Sequence, residues 1–123
     1  MSKKILFYGG AGAGKTTAII GALKLYLKEF PHLKICVWEK YPEIKSKMPE
    51  VISINNPSPA TVEAYDLFVI TGGFDLIKEK EMLNGVIQRN IQVWYEVCAN
   101  REQLENLYKI MPCLKDFDKV ECK

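Results

Sequence analysis

Short apolar runs alternate with segments of helical period along nearly the whole chain. Lys4-Ile5-Leu6-Phe7-Tyr8 is apolar, with aromatic and branched side chains, and predicts a buried strand. Ile19, Leu23, Tyr26, Leu27 and Phe30 then recur at helical spacing, and Pro31 marks the stop. Lys34-Ile35-Cys36-Val37-Trp38 predicts a second strand ending at Glu39, followed by a polar stretch over 40–50. Val51-Ile52-Ser53-Ile54 predicts a short strand, closed by the turn-rich Asn55-Asn56-Pro57-Ser58-Pro59, with a brief helical turn over 60–64. Leu67-Phe68-Val69-Ile70-Thr71 is the most apolar run and belongs at the centre of a sheet, and Gly72-Gly73 breaks it. A helix follows over 76–89, with Leu76, Leu83, Val86 and Ile87 on one face, and then a strand over 91–98. Asn100 caps a last helix, Gln103 completes a capping box, and Leu104, Leu107, Tyr108 and Met111 form its inner stripe. Residues 119–122 predict a final edge strand.

This alternation implies an α/β fold, a mostly parallel sheet of about five strands covered by helices on both faces. Crossovers in such sheets are right-handed, so the carboxyl ends of all strands share one edge, where ligands bind. That edge should hold Gly9, Glu39, Asn55, Thr71, Asp75 and the Ala99-Asn100 corner, with Asp66 on the opposite edge. The length of 123 residues suits one domain spanning 1–123, and 48% hydrophobic content suffices for a core. A net charge of +2 gives no argument for nucleic acid as a partner. No run approaches the roughly 20 apolar residues of a membrane span. Met1-Ser2-Lys3-Lys4 leads directly into the first strand without a signal segment, so the expectation is a soluble, cytoplasmic protein. Cys36 and Cys98 lie in apolar runs and read as buried small hydrophobes, while Cys113 and Cys122 read as unbridged.

Candidate chemistry centres on Gly9-Gly10-Ala11-Gly12-Ala13-Gly14-Lys15-Thr16, the pattern G-x-x-x-x-G-K-[ST] of a phosphate-binding loop, or Walker A. Its strand–loop–helix context is the one the mechanism needs. Small residues let backbone N–H groups wrap a polyphosphate, and the following helix adds its N-terminal donors and dipole. Gly9, Gly10, Ala11, Gly12, Ala13, Gly14, Lys15, Thr16 and Thr17 are therefore the expected phosphate binders. Lys15 suits the β- and γ-phosphates, and the Thr16 hydroxyl suits Mg2+.

The first 20 residues and the strand–helix alternation resemble the P-loop NTPase superfamily, which implies a three-layer α/β/α fold binding a nucleoside triphosphate with Mg2+. Three branches are similar in part. ParA/MinD-type ATPases resemble Lys34 to Pro42, with Glu39 where an Asp usually stands, and resemble Tyr65 to Thr71 as a Walker B strand, with Thr71 in place of the Asp. Their signature lysine is Gly10 here. Small GTPases resemble the chain at Asn55-Asn56-Pro57-Ser58 and Asn100-Arg101-Glu102-Gln103, but Gln103 replaces the Asp that reads guanine, which favours ATP over GTP. FtsK/HerA and viral packaging ATPases are similar in layout, with Asn100 as a polar sensor and Thr71-Gly72 in place of Asp-Glu.

In all three comparisons no acidic residue ends the most apolar strand. Lys15 is the expected catalytic cation, and the missing carboxylate is sought first at Glu39, then Asp75, then Glu96. Arg101 falls on the ligand edge, either as a finger to a nucleotide of its own or a neighbouring chain or as a surface residue at a helix start. Trp38, Trp94 and Tyr95 read as core rather than as a stacking platform. The expected function is an ATP-binding NTPase, slow or partner-activated, acting as motor or switch, with a homo-oligomer or protein partner in view. The alternatives are a non-hydrolysing nucleotide-binding module, a small kinase, which the scarcity of arginines disfavours, and a degenerate GTPase.

Overall fold

The computed structural model describes residues 3–123; Met1 and Ser2, which the expected direct lead into the first strand includes, lie outside the described residues. Six strands form one all-parallel sheet: β1 (Lys4–Gly9), β2 (Ile35–Trp38), β3 (Ile52–Ser53), β4 (Leu67–Thr71), β5 (Val93–Cys98) and β6 (Asp118–Glu121). Their spatial order is β3-β2-β4-β5-β1-β6. The helices are α1 (Lys15–Glu29), α2 (Glu43–Lys47), α3 (Pro59–Val62), α4 (Leu76–Gln88) and α5 (Arg101–Ile110), with a 3-10 turn over Pro112–Asp116. No helix among the described residues is long and apolar enough to cross a membrane.

Strand alternation divides the core into two layers. Phe7, Val37, Leu67, Val69 and Trp94 pack under α1 and α2, against Ile19, Leu23, Ile44 and Met48. Leu6, Trp38, Phe68, Ile70 and Tyr95 face the other way and meet α3, α4 and α5 through Val62, Leu83 and Leu104, among others. The result is helix layer, sheet, helix layer. Trp38, Trp94 and Tyr95 are all buried core residues.

Four details differ from the sequence expectation. The polar stretch after β2 contains α2, five residues held by the Glu39 carboxylate, which accepts the Ile44 and Lys45 N–H groups at 3.0 Å each. The inner face of α4 is Glu79, Met82, Leu83 and Val86, while Leu76 is exposed. Cys36 is buried and its thiol is pushed up to about 12 by that burial, but Cys98 is exposed. Cys98 pairs in register with Gly9, which has no side chain to cover it, and β4 has already ended opposite Glu96. The sheet also has six strands where about five were expected, because the edge strand β6 forms beside β1.

Candidate phosphate site at the end of β1

Gly9 ends β1, and the loop turns through Gly12 (φ 76°) and Gly14 (φ 79°), left-handed conformations that glycine adopts without strain. The Ala13 N–H donates to the Gly10 carbonyl at 3.2 Å, and α1 then starts at Lys15 with no side-chain cap on its free N-terminal donors. Lys15 is buried, and its Nζ donates to the Gly10 carbonyl at 2.8 Å, so its amine is folded under the loop it serves.

Strand order decides which side chain meets the loop. β5 lies between β1 and β4, so the neighbour of the loop strand is β5, not the most apolar strand. In β5 alternation sends Glu96 to the same face as Trp94, the α1 face. Glu96 pairs in register with Phe7 on one side and Thr71 on the other. The Thr16 hydroxyl donates to Glu96 Oε2 at 3.3 Å. Burial pushes the Glu96 carboxyl up from its ordinary range, the Lys15 charge and the Thr16 hydrogen bond pull it down, and Glu43 and Glu39 add a further upward push.

Two adjoining cavities surround this cluster. One of about 350 Å³ is lined by Gly12, Gly14, Lys15, Thr16, Thr17 and the two carboxylates Glu43 and Glu96. The other, about 140 Å³, shares Thr16, Glu43 and Glu96 and adds Glu39, Lys40, Tyr41 and Thr71. Larger grooves of about 390 and 430 Å³ exist elsewhere, but none of the residues of the 9–17 loop lines them. The donor set beside the loop is all oxygen and amine, hard ligands that suit a polyphosphate and Mg2+. The Thr16 hydroxyl and the Glu96 carboxylate, 3.3 Å apart, are oxygens that could hold such a cation.

The expected site residues separate accordingly. Lys15, Thr16 and Thr17 line the loop cavity with Gly12 and Gly14. Glu39 borders the smaller cavity, but both its carboxylate oxygens are engaged in holding α2. Asp75 is not brought to the loop: it is the N-cap of α4, accepting the Ile77 N–H at 2.7 Å, and lines a separate groove with Trp38, Asn56 and Lys78. Glu96, the third candidate, is the carboxylate in contact with the loop helix. Arg101 forks onto Glu121 at 3.1 and 2.7 Å, joining α5 to β6. Asn100 and Gln103 form the capping box of α5. Glu43, Lys40 and Tyr41 lie in a polar stretch without periodicity and were not foreseen. The signal for Glu96 was present, as the one charged residue in the run Val93 to Cys98.

No protein-family description matches the sequence, and no curated protein is similar to it in sequence. Among solved structures, AMPPCP-bound DnaA from Aquifex aeolicus is similar in shape, with a TM-score of 0.60 and 15% sequence identity. The likeness covers 100% of this chain and 41% of the DnaA chain, so this chain spans less than half of DnaA. The likeness is one of fold: an all-parallel sheet between two helix layers, an α/β architecture.

Proposed function

We propose that the chain binds a nucleoside triphosphate, ATP in preference to GTP, with Mg2+, and hydrolyses it slowly or on demand of a partner. The observation that carries this reading is the convergence of Lys15, Thr16 and Glu96 beneath a glycine loop of phosphate-binding pattern. The backbone N–H groups of Gly10 to Thr17 would wrap the phosphates, and Lys15 would exchange its Gly10 carbonyl for a phosphate oxygen. Glu96 takes the role sought at the end of the most apolar strand, on the metal side beside Thr16. ATP is preferred because Gln103, where a guanine-reading Asp would stand, is occupied in capping α5. The similarity to a protein solved with AMPPCP supports the nucleotide class.

A non-hydrolysing switch or assembly module is the second reading, and one feature favours it. Among the described residues, the only other carboxylates at the smaller cavity are Glu43 and Glu39, and Glu39 has both oxygens committed to backbone N–H groups. That leaves little to activate an attacking water. Calorimetric titration with ATP and GTP, with Mg2+ or with EDTA, tests binding; Lys15→Ala should abolish it. Glu96→Gln should lower affinity in Mg2+ about tenfold, roughly 1.4 kcal/mol, and leave affinity in EDTA unchanged. Phosphate release no faster than from Lys15→Ala would retain binding and remove hydrolysis, and equal affinity of parent and Lys15→Ala would remove the proposal.

A further inference from the structure

Glu79 lies on the inner face of α4 with 2% of its surface exposed, and the phosphate site does not touch it. Its carboxylate accepts the hydroxyl of Tyr95, a fully buried side chain of β5. The backbone of Gly73 and Phe74, in the turn that leaves β4, lies close enough to pull its carboxyl pKa down. One helix residue thus bonds the middle of β5 and sits beside that turn. The arrangement is not the one that stability alone would choose. Glu79 Oε2 is buried without a partner among the described residues, a cost that an apolar side chain would avoid.

Tyr95 and Glu96 are consecutive in β5, so their side chains leave on opposite faces of the sheet. Tyr95 goes to Glu79, and Glu96 goes to Thr16. The turn beside Glu79 also bears on Glu96 directly. The Gly72 N–H donates to the Glu96 carbonyl at 2.9 Å, and a Cβ on Gly72 would stand only 2.7 Å from that oxygen. Glu96 is thus bonded at its backbone to Gly72, which lies beside Glu79, and follows Tyr95, which bonds Glu79, while its carboxylate accepts from Thr16.

We propose that Glu79 is a positioning residue, which sets through Tyr95 and the Gly72-Gly73-Phe74 turn where the Glu96 carboxylate stands relative to Thr16. The proposal rests on the reading of Thr16 and Glu96 as the magnesium side of a phosphate site. A device of this kind leaves the loop itself intact, so it acts on the metal-dependent part of binding and not on the rest.

The test measures ATP affinity with Mg2+ and with EDTA for the parent, Tyr95→Phe, Glu79→Ala and Glu79→Gln. Tyr95→Phe keeps the ring in the core and serves even if Glu79→Ala fails to fold. Tyr95→Phe and Glu79→Ala are expected to lose at least fivefold of the affinity in Mg2+ while staying within twofold of the parent in EDTA. Glu79→Gln keeps an acceptor oxygen and is expected to restore most of the loss. Unchanged affinity in Mg2+ for Tyr95→Phe overturns the proposal, and so does an equal loss with and without metal, which would mark a merely structural role. A parent that binds no ATP overturns the phosphate-site reading itself, and this proposal with it.

Discussion

Glu79 carries a pH signature as well as a contact. Burial holds its carboxyl above the ordinary range, the Tyr95 hydroxyl and the Gly73 and Phe74 N–H groups pull it partly back, and Asp75 adds a small upward push. In the unfolded chain the same carboxyl titrates in the ordinary range. Below that range both states are protonated and titration contributes nothing to the balance. As pH rises through the window between the two values, the unfolded state releases its proton first, so the native state loses ground at up to about 1.4 kcal/mol per pH unit. Above the raised value the penalty is complete. Glu79→Gln cannot titrate, so its urea midpoint should lack this fall. The parent-minus-variant difference across pH, followed by circular dichroism, isolates the effect from Glu96, which is shifted in the same direction.

Among the elements, α5 is the one whose ends and inner face were most nearly written in local sequence. Asn100 accepts the Gln103 N–H at 2.8 Å and Gln103 returns the bond to the Asn100 N–H at 2.9 Å. Asn100→Ala should cost about 1 kcal/mol, read as a lower urea midpoint with an unchanged slope. The same local logic gave α1, β4 and the loop. It failed where partners are distant in sequence or where a side chain is used against type. α2 is too short to show a period, and what holds it is a carboxylate five and six residues before its bonded N–H groups. A glutamate on α4 reads as solvent-facing, so nothing in the sequence marked Glu79 as core. The order of strands is invisible to local pattern altogether. Because β5 lies between β1 and β4, the carboxylate beside the loop helix is Glu96 and not a residue at the end of Leu67–Thr71. The proposed phosphate-binding loop was therefore legible in one eight-residue stretch, and Glu96, the carboxylate beside Thr16, only as one of three candidates.

For the molecule as a whole, a ligand that binds only the native state adds stability by mass action. ATP with Mg2+ at a hundredfold excess over its Kd should add about 2.7 kcal/mol. For a chain of this size that raises Tm by roughly 10 °C in a thermal melt, and Lys15→Ala should show none of it. The packing around the loop strand makes a second demand. A Cβ at Gly9 would collide with the Cys122 carbonyl, whose own N–H donates to Tyr8 at 2.7 Å. Gly9→Ala should cost about 1–3 kcal/mol and separate β6 from β1, seen as faster amide exchange at Tyr8 and Cys122.

That contact also sets an order of events. The first strand of the chain is held on both sides by β5 and β6, and the first glycine of the loop is roofed by Cys122. While the chain is being synthesised, a ribosome has exposed the glycine loop long before either flanking strand exists. Until then β1 has no ladder and Glu96 has not been added. A nascent chain that ends before residue 93 has the full phosphate-binding motif and no site. Nucleotide capture should therefore switch on late and abruptly along a series of stalled chains, between lengths that include β5 and those that include β6.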